Sequence, residues 1–244
     1  MAQSLRRKSR LWWTGALPSA LVCFFYATHL EAEDNLLEGL ASGPLDGQSL
    51  WSASPGMEVR DGTDSGGGKK VIEITDNIPE GLEGNFPVSI PNSGSVTFRS
   101  RASALASVKV SSGLFVVLSC NQIMDGTPPD PFFMIGFGPN GNDITWSAPG
   151  ANTDGSAKDV VSEGAWYQFD VKFDISHQEL GNQNKVDFTV TELASGNVVA
   201  KESLLFPNQN GPRKTLSSVK LVTGSQHAES VWEVGSLMAD PMPQ

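Results

Sequence analysis

Arg99 and Arg101 stand two residues apart in the alternating segment 95–101, where Val96 and Phe98 take the other face. On a strand that spacing projects both guanidinium groups from one side. A clamp on a ligand carboxylate would use this arrangement. A second alternating segment, 166–175, puts Trp166, Gln168, Asp170, Lys172 and Asp174 on one face, with Tyr167, Phe169, Val171, Phe173 and Ile175 on the other. An indole beside a planar amide and a carboxylate suits sugar recognition, in which an aromatic face stacks on a pyranose ring and polar groups take its hydroxyls. Trp146, at the end of a short strand, is a further candidate platform, with Trp51 and Trp232 as alternatives. The candidate ligand-binding set is therefore Trp166, Gln168, Asp170, Arg99, Arg101 and Trp146. Partial core burial competes for each tryptophan, and ion pairing with neighbouring acids competes for the arginines.

Catalytic chemistry finds less to work with. Glycoside hydrolysis needs two carboxyl groups flanking the scissile bond. Asp170 and Asp174 share a strand face, but Lys172 lies between them, and Glu80 and Glu83 fall in a Pro/Gly-rich loop. The histidines outside the first thirty residues, His177 and His227, are not spaced as zinc ligands. No Gly-x-Ser-x-Gly elbow and no phosphate-binding Gly-x-x-x-x-Gly-Lys-Ser/Thr loop occurs, and residues 66–70 read as a turn into a strand. No catalytic residue is assigned. For a metal, calcium is the ion to weigh, because Asp61 and Asp64, and Asn140 and Asp143, cluster oxygen ligands in Gly-containing loops.

These residues need a scaffold, and the chain supplies β-structure. Nearly every periodic segment after residue 50 alternates with period two, over 70–75, 95–101, 166–175 and 185–192. Segments 113–120 and 132–137 are continuous apolar runs of a strand buried on both faces, and Val108 and Val110 start another run. Eleven or twelve strands result, separated by turn pairs such as Asp61-Gly62, Asn140-Gly141 and Asn210-Gly211. Residues 187–201 read as a hairpin turning at 194–197. The one helical candidate is 34–40. With no strand–helix alternation and no internal repeat, a two-sheet antiparallel jelly-roll sandwich over residues 43–240 is expected.

The first thirty-two residues read differently. Arg6, Arg7, Lys8 and Arg10 precede twenty uncharged residues, 11–30, with acids from Glu31 onward. This is the pattern of a signal peptide, with cleavage near Ala32 or Ala27, or of an uncleaved N-terminal anchor helix. Removal through Ala32 leaves a net charge of −13 and one cysteine, Cys120, at the end of an apolar run. An internal disulfide is then impossible, and the thiol reads as a buried small hydrophobe. The whole chain of 244 residues has 17 basic and 27 acidic residues, which excludes a nucleic-acid partner that needs clustered Lys and Arg. Charged residues make up 18%, below the roughly 25% of average globular domains, which argues against a coiled coil or a charged disordered tail.

The stretch Gly164-Ala165-Trp166-Tyr167-Gln168-Phe169-Asp170-Val171-Lys172-Phe173-Asp174, followed by a second strand and a Gly turn over 186–199, resembles the concanavalin A-like lectin/glucanase (laminin-G-like) jelly rolls of secreted bacterial type. The opening residues 44–51 and the closing residues 230–237 resemble the first and last strands of such proteins. The glucanases' Glu-x-Asp-x-x-Glu and the Arg-rich, Gln-x-His and Tyr-rich strands of alginate-lyase-like families are absent. The resemblance therefore implies an exported, non-catalytic carbohydrate-binding or cell-surface interaction module. A polysaccharide hydrolase or lyase lacking the familiar motifs is the alternative. The partner expected is a glycan or an extracellular protein, with membrane contact only through an uncleaved N-terminal segment. The location expected is secreted, periplasmic or cell-surface.

Overall fold

A computed structural model describes residues 35–76, 81–104, 113–122, 130–139, 141–148, 154–177, 183–207, 213–224 and 230–241. The leader expected over 1–32, the run beginning at Val108, and Asn140, Glu80 and His227 lie outside the described residues. The strands are β1 (Gly43–Pro44), β2 (Ser52–Ala53), β3 (Met57–Asp61), β4 (Lys70–Asp76), β5 (Glu83–Ile90), β6 (Ser93–Ala104) and β7 (Leu114–Gln122). They continue with β8 (Asp130–Phe137), β9 (Ile144–Ser147), β10 (Gly155–Ala157), β11 (Tyr167–Asp174), β12 (Gln183–Glu192), β13 (Val198–Pro207), β14 (Arg213–Thr223) and β15 (Ser230–Pro241).

All pairings are antiparallel, and they form the two-sheet jelly-roll sandwich that the alternation predicts. An eight-stranded sheet has the order β1-β3-β4-β15-β6-β11-β12-β13, and a seven-stranded sheet the order β10-β9-β8-β7-β14-β5-β2. The inward residues of each sheet meet in one hydrophobic core. Its centre is aromatic. Phe137 on β8 stacks on Trp232 of β15 (5.3 Å between centroids) and meets Phe169 of β11 edge-on (5.7 Å), so the ring ties the two sheets together. A register shift between Leu118 and Ser119 lets β8 carry one extra residue, and Phe132 and Phe133 are consequently both buried.

Two expectations change. The helix expected at 34–40 is a turn over its described residues, 35–40. The amide of Leu36 donates to the Leu237 carbonyl and Asn35 bridges Met238, so the backbone is used by β15, and Leu36, Leu37 and Leu40 join the core. Packing thus begins ahead of residue 43. Second, Glu83 opens a strand rather than lying in a loop, and it pairs with Lys220 at 2.8 Å. Pro87 inside β5 sits where the pairing with β14 shifts register, and β2 pairs only Asn85 and Gly84. A missing N–H is tolerated at such a place.

The β12–β13 hairpin closes as expected. Gly196 takes φ of +71° and donates its amide to the Glu192 carbonyl. Three of the four sheet edges are short strands of two or three residues, whereas the fourth, β13, is ten residues long.

Candidate functional site

The outer face of the eight-stranded sheet carries the polar residues that alternate with the core. Backbone register lines them up in rows. Thr97 (β6) faces Asp170 (β11), which faces Thr189 (β12), which faces Lys201 (β13). The next row runs Ser95, Lys172, Asp187 and Ser203. Short hydroxyl side chains at the ends and middle leave a hollow of about 880 Å³ above the sheet, lined by both rows.

Three carboxylates line the hollow. Glu202 stands opposite the core-facing Phe188 and so belongs to the other face of β13, while the two on the outer face, Asp170 and Asp187, are engaged from within. Asp170 accepts from Thr97 Oγ1 at 3.2 Å and from Gln168 Nε2 at 3.1 Å. Asp187 is bridged to Lys185 at 2.8 Å. Burial raises the Asp187 pKa, but hydrogen bonds from Lys185 and Ser203 and the charges of Lys185 and Lys172 outweigh it, and the carboxyl lies below its ordinary range. Asp187 is accordingly ionised at neutral pH and unsuited to act as a general acid. Among the described residues, neither Lys172 nor Lys201 makes a salt bridge.

Beside the hollow, residues 62–69 cross the same face as a strap. Gly62 donates to the Lys69 carbonyl, and Asp64 Oδ1 accepts from the amides of Gly66 and Gly67. Asp64 Oδ2 takes the Arg101 guanidinium at 2.7 Å, and Arg99 Nη1 donates to the Gly66 carbonyl at 3.1 Å. The strap lies directly on Trp166. A Cβ on Gly66 would stand 2.2 Å from the indole, and one on Gly67 2.6 Å, so only glycine fits. The Arg101 guanidinium also lies over the ring, 4.7 Å from its centroid. A hydrogen-bond chain connects hollow and strap: Arg99 donates to Gln168, and Gln168 donates to Asp170.

The β6–β11 pairing brings Arg99, Arg101, Trp166, Gln168 and Asp170 onto one face, but the fold gives several of them other work. Trp166 is only 8% exposed, because the strap and Arg101 cover it, so its ring offers no open stacking surface. Arg99 and Arg101 hold strap carbonyls, Asp64 and Glu233 rather than standing free as a clamp. Trp146 belongs to the other sheet. It is 7% exposed, packed on Phe188 at 5.0 Å and against Gly155. Tyr167 is core, its hydroxyl accepting from the Ser162 amide.

Of the oxygen ligands weighed for calcium, Asn140 lies outside the described residues, and the described carboxylates each have a cationic partner. Asp61 pairs with Lys70, Asp64 with Arg101 and the strap amides, and Asp143 with Lys158. Among the described residues no group of three metal-ligating side chains occurs. Cationic and N–H partners already supply the charge balance that a calcium ion would bring.

Sequence reading missed a row of charges across the same face. Glu58, Glu73, Glu233 and Arg101 stand opposite one another on β3, β4, β15 and β6. Burial raises the Glu73 pKa, Arg60 at 2.9 Å lowers it, and Glu233 and Glu58 raise it again, for a net rise above the ordinary carboxylate value. Arg60 and Arg101 hold this row, and it lies outside the hollow. Lys201 and Asp187 were also missed as site residues. Counting outward from the hairpin turn at 193–197 would have set Asp187 and Lys201 on neighbouring strands, β12 and β13.

Asp64 makes the strap sensitive to pH. Burial raises its pKa, but Trp166, the Gly67 amide, the Arg101 charge and the Gly66 amide lower it, leaving it below 3.8. A depressed carboxyl stabilises above its unfolded value, and that contribution disappears as pH falls through the folded value. Asp64→Asn should therefore unfold at lower denaturant than the unmodified chain near neutral pH, with the gap closing below pH 3.8. A gap of constant size across that range, in urea titrations at several pH values, would contradict the role given to Asp64.

No protein-family model matches the sequence, and no curated protein matches it. Solved structures similar to the chain include a carbohydrate esterase from Shiga toxin-encoding bacteriophage phi24B (14% identity, 78% of this chain and 89% of that one, TM-score 0.49). Lectin II from Ulex europaeus is also similar (11% identity, 81% and 95% coverage, TM-score 0.48). So is the exoplasmic/lumenal domain of VIP36 in its calcium- and Man3GlcNAc-bound form (8% identity, 80% and 86% coverage, TM-score 0.45).

Proposed function

We propose that the chain is an exported, non-catalytic module that binds glycan in the hollow on the outer face of its eight-stranded sheet. The observation carrying this reading is the hollow itself: about 880 Å³ of open space over a floor of hydroxyls, carboxylates and lysines. Such a floor matches the alternating hydroxyl and ring oxygens of a saccharide, which needs directional polar partners more than apolar area. The non-catalytic part is supported by Asp187 being held ionised, and by the Asp170 oxygens accepting hydrogen bonds from Thr97 and Gln168. Export rests on the basic, then uncharged, then acidic order of residues 6–34.

A glycan array, followed by calorimetry on the hits, tests the reading. Retained binding after Thr189→Ala combined with Asp170→Asn would remove the hollow from consideration. Product formation from a bound oligosaccharide, seen as new reducing ends or as ultraviolet-absorbing unsaturated sugars, would replace the module with an enzyme. Binding that requires added calcium would require a metal site outside the carboxylates described above.

A further inference from the structure

We infer that the hollow selects anionic glycans, those bearing carboxylate or sulfate groups, with Lys201 and Lys172 as the groups that read the charge. The inference rests on the glycan reading and narrows it.

The hollow holds unused hydrogen-bonding capacity. Formal charges around the hollow nearly balance, but their hydrogen bonds do not. Asp170 spends its oxygens on Thr97 and Gln168. Asp187 spends its own on Lys185 and Ser203. The ammonium groups of Lys201 and Lys172 have no salt bridge among the described residues, although Lys172 acts electrostatically on Asp187 across the strand pair. Each ammonium brings three donors and no acceptor. Glu202, the third acid of the lining, stands opposite the core-facing Phe188 and projects from the other face of β13, so what the outer face leaves for a ligand is donor-rich and is answered best by anionic oxygens.

Two further features agree. The lining of the hollow contains one aromatic residue, Phe188, and that side chain is buried on the core face, so recognition there does not proceed by stacking. The guanidinium groups of Arg99 and Arg101, which a carboxylate would otherwise prefer, are engaged by the strap and Glu233. The chain's overall acidity opposes a polyanion only weakly at this distance, because charges more than about 8 Å away are screened at physiological salt.

The test is calorimetric titration of the full chain with three probes of equal length: a galacturonate hexasaccharide, a sulfated galactan hexasaccharide and a neutral mannohexaose. Binding of an acidic probe is expected to be at least about tenfold tighter than that of the neutral one, as one charge-assisted contact supplies. Raising salt from about 50 to about 500 mM should erase most of that preference. Lys201→Gln should cut the acidic-to-neutral ratio by about tenfold, and Lys201→Arg should keep it. Which acidic probe binds tighter distinguishes carboxylate from sulfate recognition, and either supports the inference. Equal or tighter binding of the neutral probe, or an acidic preference indifferent to salt and to Lys201, would overturn the anionic class while leaving glycan binding in place. Failure of all three probes to bind at millimolar concentration would overturn both.

Discussion

Phe137→Ala is expected to lower the unfolding free energy by about 3–5 kcal/mol, the range of buried aromatic truncations. The side chain is fully buried on β8. Its ring stacks on Trp232 at an interplanar angle of 17° and meets Phe169 and Tyr167 edge-on at 90° and 78°. Those partners stand on β15 and β11 of the opposite sheet, so truncation opens a void at the seam rather than within one layer. Large flat rings fixed on paired strands collapse poorly into such a void, which places the cost toward the upper end of the range. Guanidinium unfolding followed by near-ultraviolet dichroism measures it. A loss under about 1.5 kcal/mol would mean that the sheets repack freely, contrary to the close aromatic seam. Phe137→Leu keeps most of the volume and should cost clearly less.

Gly235→Ala should have the second-largest effect, and it acts on the candidate site. A Cβ at Gly235 would stand 2.0 Å from the Gly67 carbonyl oxygen and 2.9 Å from its Cα, and backbone cannot rotate away as a side chain can. Either the strap lifts from the sheet or β15 shifts. Overpacking of this kind costs about 1–3 kcal/mol. If the strap lifts, Trp166 loses its cover, and collisional quenching of fluorescence by acrylamide should increase. Trp51, Trp146 and Trp232 are buried independently of the strap, so the added quenching should vanish in the Trp166→Phe background. Unchanged stability together with unchanged quenching would show that strap and sheet are not in the tight contact described.

The layout of the fold could be read from the chain because alternation is a local property. Val96 and Phe98, or Phe169, Val171 and Phe173, announce their buried face within a few residues. The β12–β13 hairpin was legible for the same reason, its turn being closed by Ser195-Gly196. Local signals misled where a distant partner prevailed. Leu36, Leu37 and Leu40 carry helical spacing, but the Leu237 carbonyl takes the Leu36 amide and the segment is held as a turn. Pro87 and Gly84 disguised β5, since the two-residue β2 that relieves it of a full set of partners lies thirty residues earlier.

The site was legible by face and not by role. Alternation put Arg99 with Arg101, and Trp166 with Gln168 and Asp170, each on one face of its own strand; the β6–β11 pairing that joins the two sets was not legible, and Trp166 is covered by glycines one hundred residues upstream. A Gly-Gly-Gly run gives no local sign that its use is to lie flat on an indole. Lys201 went unnoticed because its significance depends on which carboxylates are already satisfied, and this becomes known only once Lys185 and Gln168 are in place.

The long edge strand β13 bears on how this molecule behaves among its own copies. Exposed edges invite another strand to add, and here Val198 and Leu205, 57% and 50% exposed, sit near its two ends. For two copies to join their sheets about a two-fold axis, residues on the same face must stand opposite each other. Two registers then share the greatest overlap, nine residues each: one sets Glu202 against Glu202, and the other sets Ser203 against Ser203 with Glu202 against Leu204. Like charges directly opposite are destabilising, and Pro207 offers no N–H at the strand's end. The edge thus guards against one of its two longest self-pairings and leaves the other without a like-charge clash, so a ladder of copies would have to start from the Ser203-centred register.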